Sequence, residues 1–208
     1  MTGTNVSIRP ATAADAQDAA PLIALAMGKI GPILFGGGDP ARATATWAAL
    51  FAWRGSRFSH EFADVAVAAG RVVGLALRYP HARMGHIALA TARQMLRLRG
   101  LPGFGRFVLR ALPLAAIPEA RPGEYFLDAL AVLPEFSRIG IGALIVGHVE
   151  DHARATGLPA CACTSEIGND PAHRLFERLG YRVVETFRVS ATAGLGGFPG
   201  VDRLVKQL

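Results

Sequence analysis

The sequence has little cysteine and no long apolar run. Of its 208 residues only Cys161 and Cys163 are cysteines, and they stand two apart in a segment typical of a β-strand. Their side chains should therefore point to one face, which argues against a disulfide between them. Without further Cys or His residues nearby, two thiols do not complete a tetrahedral metal site. We predict that both cysteines are buried and reduced.

Uninterrupted apolar stretches of the length that a membrane span needs, about 18 residues or more, do not occur. The most suggestive segment, 21–38, is broken by Lys29 and is rich in glycine. Residues 1–9 lack the basic start and the apolar core of a signal peptide. We predict that the chain has no membrane span and a cytoplasmic location.

Charged residues are scarce at 18% of the chain, whereas apolar residues make up 51%. This balance indicates an ordered chain with a large buried core. A chain of 208 residues is long enough for one such core and short for two, so we predict a single domain over 1–208. The formal net charge of +6 favours an anionic ligand.

An apolar strand followed by a glycine-containing turn and a helix is the most informative local pattern. The strand, 125–133, ends at Pro134, and the chain enters an apolar-periodic helix through a turn that contains Gly140 and Gly142. Amides at a helix start have no intrahelical partner, and glycine lets a phosphate approach them closely. The pattern predicts an anion cradle, and then a helix with the inner stripe Ile141, Leu144, Ile145, His148, Val149 and His152.

A shorter helix with clear boundary signals follows further along the chain. Asn169 or Asp170 can cap its start, Pro171 suits its first turn, and Gly180 can end it. The strand that carries the two cysteines separates this helix from the cradle helix. The order is therefore strand, cradle, helix, strand and capped helix.

Together these segments resemble the GNAT superfamily of acetyl-CoA-dependent N-acetyltransferases. The phosphate motif of that family, (Gln or Arg)-x-x-Gly-x-(Gly or Ala), is matched by residues 137–142, with Ser137 in the first position. Its second motif is Asn-x-x-Ala, then a Leu-Tyr pair, then Gly-Phe, matched here by Asn169, Ala172, Leu175-Phe176 and Gly180-Tyr181. The resemblance covers most of the chain, and its specific part lies in 125–187.

The resemblance implies an α+β fold of the GNAT acyl-CoA N-acyltransferase type, with a central mixed, mostly antiparallel sheet flanked by helices. The patterns along the chain agree, predicting helices over 12–27 and 41–54 and strands over 6–10, 62–68, 71–79, 125–133, 158–164, 181–189 and 201–207. Residues 28–40 are predicted as a loop, at the place where the resembled family builds part of its acceptor groove.

A helical insertion at about 83–118 departs from a minimal core of this kind. The pattern predicts helices over 88–99 and 106–116, separated by Gly100–Gly103, with the arginines Arg83, Arg93, Arg97, Arg99, Arg106 and Arg110. Such a segment can touch nucleic acid or an anionic membrane, but more often it forms a solvated helical face beside a groove. No aromatic residues are interleaved for base stacking, so we predict that nucleic acid is not a partner.

The donor site is implied by the resemblance. Acetyl-CoA would lie where the central strand separates from its neighbour, with its pyrophosphate on the amides of 138–143 and its pantetheine arm along 130–132. An amide of that strand would polarise the thioester carbonyl. The implied donor-binding residues are Leu130, Ala131, Val132, Ser137, Arg138, Ile139, Gly140, Ile141, Gly142, Ala143, Asn169 and Phe176.

Two positions depart from the family pattern. Ser137 stands where the family prefers Gln or Arg, and Phe176 stands where many members carry a tyrosine that protonates the leaving thiolate. A general acid typically contributes about 10²- to 10⁴-fold, and phenylalanine cannot donate a proton. A thiol with a pKa near ~8.5 is nevertheless a tolerable leaving group. We therefore predict that transfer is weakened and not abolished.

A base is needed because an alkylamine with a pKa near ~10.4 is almost fully protonated at neutral pH. Asp128 and Glu124 lie on the predicted central strand and should share a face with the residues of the same parity, Phe126, Leu130 and Val132. Asp128 is the first candidate, and the alternative is a structural carboxylate at the point where the strands separate. Glu166, expected as a loop charge, and His173, expected to be exposed, are further candidates.

Other chemistries find little support. His148 and His152 stand at i and i+4, but the residue directly after His148 is Val149 and not the Glu of the zincin arrangement, so we predict no metal. There is no Gly-x-Ser-x-Gly elbow, and no His-Asp pair is evident beside either cysteine, which argues against a nucleophilic mechanism.

The sequence thus predicts an acyltransferase that moves an acetyl group from acetyl-CoA to a primary amine of a small molecule, peptide or protein by direct attack. The alternative is an acyl-CoA-binding regulatory module with weak or no transfer, for which Ser137 and Phe176 are the reasons. A third interpretation is a nucleic-acid- or membrane-associated protein that uses the arginines of the insertion. The expected partners are coenzyme A and an amine acceptor, and the apolar composition is compatible with a homodimer.

Overall fold

A seven-stranded mixed sheet forms the centre of the protein, as seen in a computed structural model that describes residues 5–208. Residues 1–4, the beginning of the segment searched for a signal peptide, lie outside the described residues. The strands are β1 (Val6–Pro10), β2 (Ala63–Ala68), β3 (Arg71–Pro80), β4 (Glu124–Val132), β5 (Ala160–Glu166), β6 (Arg182–Arg188) and β7 (Gly200–Gln207). The helices are α1 (Ala16–Met27), α2 (Pro40–Ala52), α3 (Met84–Ala111), α4 (Ile141–Ala155) and α5 (Asp170–Arg178).

The strand order is β1-β2-β3-β4-β5-β7-β6. Five neighbouring pairs are antiparallel and one, β4 with β5, is parallel. The parallel pair is connected through α4, as parallel strands require a crossover. The predicted α+β fold with a mixed, mostly antiparallel sheet is confirmed.

Local signals explain most of the boundaries. In the β2–β3 hairpin the two turn residues, Ala69 and Gly70, both have positive φ, which matches the twist of the flanking strands. The carboxylate of Asp39 accepts from two amides at the start of α2, and the Asn169 side chain accepts from the Ala172 amide at the start of α5. The predicted hairpin and the predicted cap of α5 are confirmed.

Each face of the sheet carries its own core. On one face α1 and α2 pack against β2 and β3 and bury large side chains, including Trp47 and Phe51. On the other face α4 and Phe176 of α5 cover β4 and β5, and Cys161 and Cys163 lie in this second core. Both cysteines are free and buried, as the sequence predicts.

Three expectations about helices differ from the structure. The segment 28–40 is not simply a loop, because Pro32–Gly36 forms a π-helical turn. The insertion is one helix, α3, broken at Gly100 (φ 63°), and its second part begins directly after that glycine and continues through Pro102 in its first turn. On α4, Leu144 is 49% exposed and so does not belong to the inner stripe.

The start of the chain is fixed by an ion pair at Asp15. Its buried carboxylate accepts from the Arg9 guanidinium at 2.7 and 2.8 Å and from the Thr12 amide at 2.7 Å. These hydrogen bonds, with that to Arg9 the strongest, lower the pKa of Asp15 to about 2. In the unfolded chain an aspartate titrates near ~3.9. The stabilisation is therefore present above that pH and is lost as the pH falls towards the folded value.

We expect Asp15→Asn to lower the free energy of unfolding by about 1–2 kcal/mol near neutral pH, a value reduced from the full linkage because Arg9 is partly exposed. The difference from the wild type should shrink steadily as the pH falls from about 5 to about 3. Urea denaturation of both proteins across this range checks it. A difference that stays constant with pH would show that the carboxylate is not stabilised by its partners.

Candidate active site

A large cleft opens where β4 and β5 separate. The two parallel strands pair over only four residues each, Glu124–Leu127 against Ala160–Cys163, although both continue further. Beyond this pairing they diverge and leave a cavity of about 1000 Å³. The edge of β4 that faces the cleft therefore has main-chain groups without a β5 partner.

A β-bulge lies at the beginning of the divergence. Leu127 of β4 pairs with Arg78 of β3, and Ala129 pairs with Leu77, so Asp128 is the extra residue. On the near side of the bulge Phe126 packs with Tyr79, whereas beyond it Leu130 and Val132 pack against the α4 core. The prediction that Asp128, Phe126, Leu130 and Val132 share one face is therefore wrong, because the inserted residue reverses the alternation.

The predicted anion cradle forms one end of the cleft. Gly140, at φ 94°, precedes the first turn of α4, and none of the described side chains caps this helix start. The first amides of α4 are thus left for a ligand. Arg138 also has a positive φ, 62°, which is uncommon outside glycine and belongs to the tight turn that leads into the helix.

Most of the predicted donor-binding residues line the cleft. They are Leu130, Ala131, Val132, Ser137, Arg138, Gly140, Gly142, Ala143, Asn169 and Phe176, and the predicted base Asp128 lines it as well. Two do not line it: Ile139 is 60% exposed, and Ile141 is buried in the α4 core. The structure thus brings the two sequence motifs together at one cavity, while their roles in binding a donor stay predictions.

The sequence did not assign several parts of the cleft wall to the site. The end of α1, the second half of β5 and further residues of α5 also line the cleft, through Leu25, Ala26, Gly28, Cys163, Thr164, Ser165, Pro171, Ala172, Leu175, Arg178 and Leu179. Glu166, named above as a further base candidate, lines it as well. When two parallel strands diverge, the second strand forms the wall opposite the first. The prediction that the central strand separates from its neighbour could therefore have identified β5 as a wall of the cleft. Burial raises the pKa of the Cys163 thiol well above its usual range, so it is not a nucleophile.

Two carboxylates line the cleft, and their surroundings differ. The Asp128 side chain is 6% exposed and is held by Arg57, whose Nε lies 3.0 Å from Oδ2 and whose second donor contacts Oδ1. Arg57 also donates to Glu119 at 3.0 Å. Burial opposes the charge on Arg57, but the two carboxylates outweigh it and raise the pKa of the guanidinium well above its usual value. Two contacts with one guanidinium thus fix the Asp128 carboxyl group at the bulge.

Glu166, the last residue of β5, is the second carboxylate. Within residues 5–208 its side chain takes part in none of the hydrogen bonds or ion pairs. Its Oε2 would lie 3.8 Å from a Cβ atom placed on Gly28, so the residue at the end of α1 faces it across a narrow gap. This partly buried, unpartnered carboxylate belongs to the cleft, so the expectation that Glu166 is a loop charge is wrong.

The remaining acid–base candidates lie elsewhere. Glu124 contacts the buried guanidinium of Arg203 and does not line the cleft. The His173 side chain is 19% exposed, with Nε2 3.5 Å from Asp202, so the expectation that it is exposed is wrong. This side of α5 packs towards β7, which the helix-start position did not reveal. Neither residue is placed to act on a ligand in the cleft.

Phe176, which stands where the family pattern has a proton-donating tyrosine, lies in the cleft wall. Its ring packs edge-to-face with Tyr181 at a centroid distance of 5.2 Å. Tyr181 is 1% exposed, belongs to the α4 core and does not line the cleft. Burial raises the pKa of its hydroxyl well above the usual range. The prediction that Tyr181 is a core residue is confirmed, and it is no substitute acid.

Among the described residues, three side chains of the kinds that bind metal ions lie close together, and the guanidinium of Arg78 already contacts two of them. Potential ligand atoms of Asp64, His148 and His152 lie within 4.8 Å of one another. Arg78 donates to both oxygens of Asp64, and its Nη2 lies 3.0 Å from His152 Nε2. A divalent ion would have to displace this guanidinium from a fully buried carboxylate, so the arrangement disfavours a metal.

Comparisons with known proteins agree with this geometry. The sequence profile of the acetyltransferase (GNAT) family matches residues 37–181. No curated protein sequence matches the chain. Among the helices of residues 5–208, none is both long and apolar enough to cross a membrane.

Solved structures share the fold. The chain is similar to an acetyltransferase with 22% identity and a TM-score of 0.71, covering 97% of this chain and 98% of that one. An N-acetyltransferase from Staphylococcus aureus Mu50 has 16% identity and a TM-score of 0.70, with 96% and 100% covered. A polyamine N-acetyltransferase from Drosophila melanogaster, which catalyses the formation of N-acetylagmatine, has 18% identity and a TM-score of 0.63, with 98% and 100% covered. At these identities the likeness establishes the fold.

Proposed function

The chain belongs to the GNAT acetyltransferase family, and on this premise we propose that it transfers the acetyl group of acetyl-CoA to a primary amine of a small molecule, peptide or protein. The observation that carries the proposal is the cleft between β4 and β5, which ends on the uncapped start of α4. A site open along a strand edge and closed by a helix start suits an elongated donor with phosphates at one end.

The phosphates of the donor bind at the α4 end of the cleft in this proposal. The amides that begin the helix supply donors and the positive end of the helix dipole. Arg138 and Arg178 in the walls add positive charge. Arg138 thereby takes over the electrostatic part that Ser137 cannot supply.

The pantetheine arm binds along β4 beyond Leu127. There β4 has no β5 partner, so its free main-chain groups can pair with the amides of the arm as an added strand would. An N–H of this edge near the bulge would then polarise the thioester carbonyl. The reacting carbon would lie beside Asp128.

The amine enters between the two carboxylates. We assign Asp128 as the group that accepts the amine proton, directly or through water, because it lies at the bulge next to the proposed thioester position. Glu166, which has no partner of its own among the described side chains, attracts the protonated amine to the cleft. The neutral amine attacks the thioester carbonyl, and the collapse of the tetrahedral intermediate expels the CoA thiolate.

Phe176 cannot donate a proton to that thiolate. A thiolate whose conjugate acid has a pKa near ~8.5 leaves without assistance, and solvent protonates it afterwards. The transfer therefore proceeds without the general-acid contribution that a tyrosine would add. A cytoplasmic location and a homodimer stay predictions from the sequence.

The proposal is tested by following thiol release from acetyl-CoA across a panel of amines. The panel includes diamines such as agmatine, since a structural neighbour forms N-acetylagmatine. Turnover of any amine supports transfer. Donor binding without turnover of every amine would instead favour the regulatory module, and an absence of donor binding at millimolar concentration would contradict both.

We expect Glu166→Gln to raise the KM for the amine about tenfold and to leave kcat and the Kd of acetyl-CoA nearly unchanged, because it removes a charge that attracts the ammonium. The matched control is Glu177→Gln, which neutralises an exposed glutamate of α5 outside the cleft. Steady-state kinetics with the best amine of the panel measures both. Equal KM values for the two variants would remove Glu166 from acceptor binding.

A further inference from the structure

A second, smaller cavity lies between the π-helical segment, α2 and α3. Its volume is about 180 Å³, and it shares no lining residue with the cleft between β4 and β5. Apolar side chains of Leu34, Phe35, Met95 and Phe107 form part of its wall. The rest of the wall is basic, with four arginines: Arg42, Arg99, Arg106 and Arg110. We call this cavity the arginine pocket.

Two of the arginines are held in place by main-chain oxygens. Arg99 donates through Nη2 to the carbonyl of Phe35, to that of Arg42 at 3.3 Å, and to the hydroxyl of Thr46. Arg110 donates through Nη1 to the carbonyl of Ile33 at 2.9 Å. Carbonyl groups position these guanidinium groups but do not neutralise them. Each also keeps N–H groups that these contacts do not use.

The other two arginines, Arg42 and Arg106, are exposed at the rim. Within residues 5–208, Asp39 is the one carboxylate with an ion-pair contact to any of the four, at 3.9 Å from Nε of Arg42. That carboxylate also accepts from the Ala41 amide at 2.9 Å, at the start of α2. Among the described residues, one shared acid therefore stands against four permanent cations. Burial, and after it the neighbouring Arg42, lower the pKa of Arg99.

We propose that the arginine pocket binds a small oxyanion, a phosphate or a carboxylate, at a site separate from the acetyl-CoA cleft. Guanidinium groups are suited to such ligands because their planar N–H pairs bind two oxygens at once. Like charges gathered around a cavity repel one another, and an anion between them removes that repulsion. Arg99 and Arg110, which are fixed by carbonyl groups, form a preorganised floor of the site. Arg42 and Arg106 bind the ligand from the rim.

The volume limits the ligand. A cavity of about 150 Å³ holds a molecule of the size of benzene. The arginine pocket therefore accommodates inorganic phosphate or a short dicarboxylate and excludes a nucleotide or coenzyme A. Three separate segments supply the four arginines and the wall, so an occupant joins the insertion α3 to α2 and to the π-helical turn.

The test titrates the full-length protein with inorganic phosphate by calorimetry while coenzyme A saturates the donor cleft, so that phosphate cannot report from the cradle of α4. Sodium chloride keeps the ionic strength constant, because screening alone changes surface electrostatics. A parallel titration with malonate in place of phosphate shows whether the pocket binds carboxylates, phosphates or both. The variants are Arg42→Gln and Arg106→Gln, which leave the main-chain contacts of Arg99 and Arg110 in place. Arg93→Gln is the matched control, an exposed arginine of α3 outside the pocket.

We expect saturable binding of phosphate, of malonate or of both to the wild type and to Arg93→Gln. Each rim substitution should weaken that binding about tenfold or more, since each removes a charge-assisted contact. An absence of saturable binding of both anions to the wild type overturns the proposal. Equal binding by the control and the rim variants also overturns it, because the anion would then bind elsewhere. Melting curves confirm that the variants are folded.

Discussion

Asp128→Asn should lower kcat for acetyl transfer by about 10²- to 10⁴-fold, because the amide cannot accept the amine proton. The Kd of acetyl-CoA should stay within a few-fold, since the proposed donor contacts are main-chain groups of β4 and α4. As the pH rises, kcat/KM of the variant should keep increasing towards the pKa of the amine, near ~10.4, because the free amine no longer needs a base. Steady-state kinetics of thiol release across pH measures both effects.

The same change should lower the free energy of unfolding by about 1–3 kcal/mol, because Arg57 loses one of its two anionic partners. A stability loss alone does not explain a kinetic loss, and Glu124→Gln separates the two. Glu124 lies on the same strand and pairs with the buried Arg203, but it is outside the cleft. We expect Glu124→Gln to be destabilised with near-normal kcat. If Asp128→Asn retains wild-type kcat, Asp128 is a structural carboxylate of the bulge and the transferase assignment stands without it.

Ala143→Asp should weaken acetyl-CoA binding by about 10²- to 10³-fold, since two unit charges about 4 Å apart repel by roughly 4 kcal/mol at an effective dielectric constant of 20. Ala143 is the third residue of α4 and lines the cleft at the proposed phosphate position. The same substitution should stabilise the ligand-free protein by about 0.3–1 kcal/mol, because an acidic residue in the first turn complements the helix dipole. Binding and stability therefore change in opposite directions.

Calorimetric titration with acetyl-CoA and urea denaturation of the free protein measure the two effects. Ala143→Asn is the matched control, because it has nearly the same shape without the charge. We expect it to weaken donor binding less than about tenfold. Equal weakening by both variants would indicate a steric effect only, and unchanged binding by Ala143→Asp would place the phosphates away from α4.

The parts of the site that the sequence predicts best are those built from consecutive residues. Gly140 and Asn169 mark the starts of α4 and α5 through local backbone chemistry, and the structure places both in the cleft. The bulge at Asp128 was not predictable in this way, because strand parity assumes an unbroken ladder and the inserted residue is defined only by the pairing with β3.

Contacts between distant segments account for the other differences. Glu166 belongs to the cleft because β5 diverges from β4, which is a property of the sheet and not of the residues around Glu166. The arginines of the insertion appeared as a solvated face, but Arg99 and Arg110 reach carbonyls more than 50 residues away in the chain. Their role depends on the π-helical turn over Pro32–Gly36, for which the glycine- and proline-rich sequence predicts only a loop.

The burial of the two cysteines in β5 has a practical consequence for measuring turnover. Burial raises the pKa of the Cys161 thiol to about 11 and that of Cys163 still higher, so neither is a reactive thiolate near neutral pH. A chromogenic disulfide reagent added to the folded protein should therefore be consumed by released coenzyme A and hardly at all by the protein. Colour that forms before substrate is added would then report the fraction of unfolded protein, so reaction of Cys161 and Cys163 measures how much of the sample is folded.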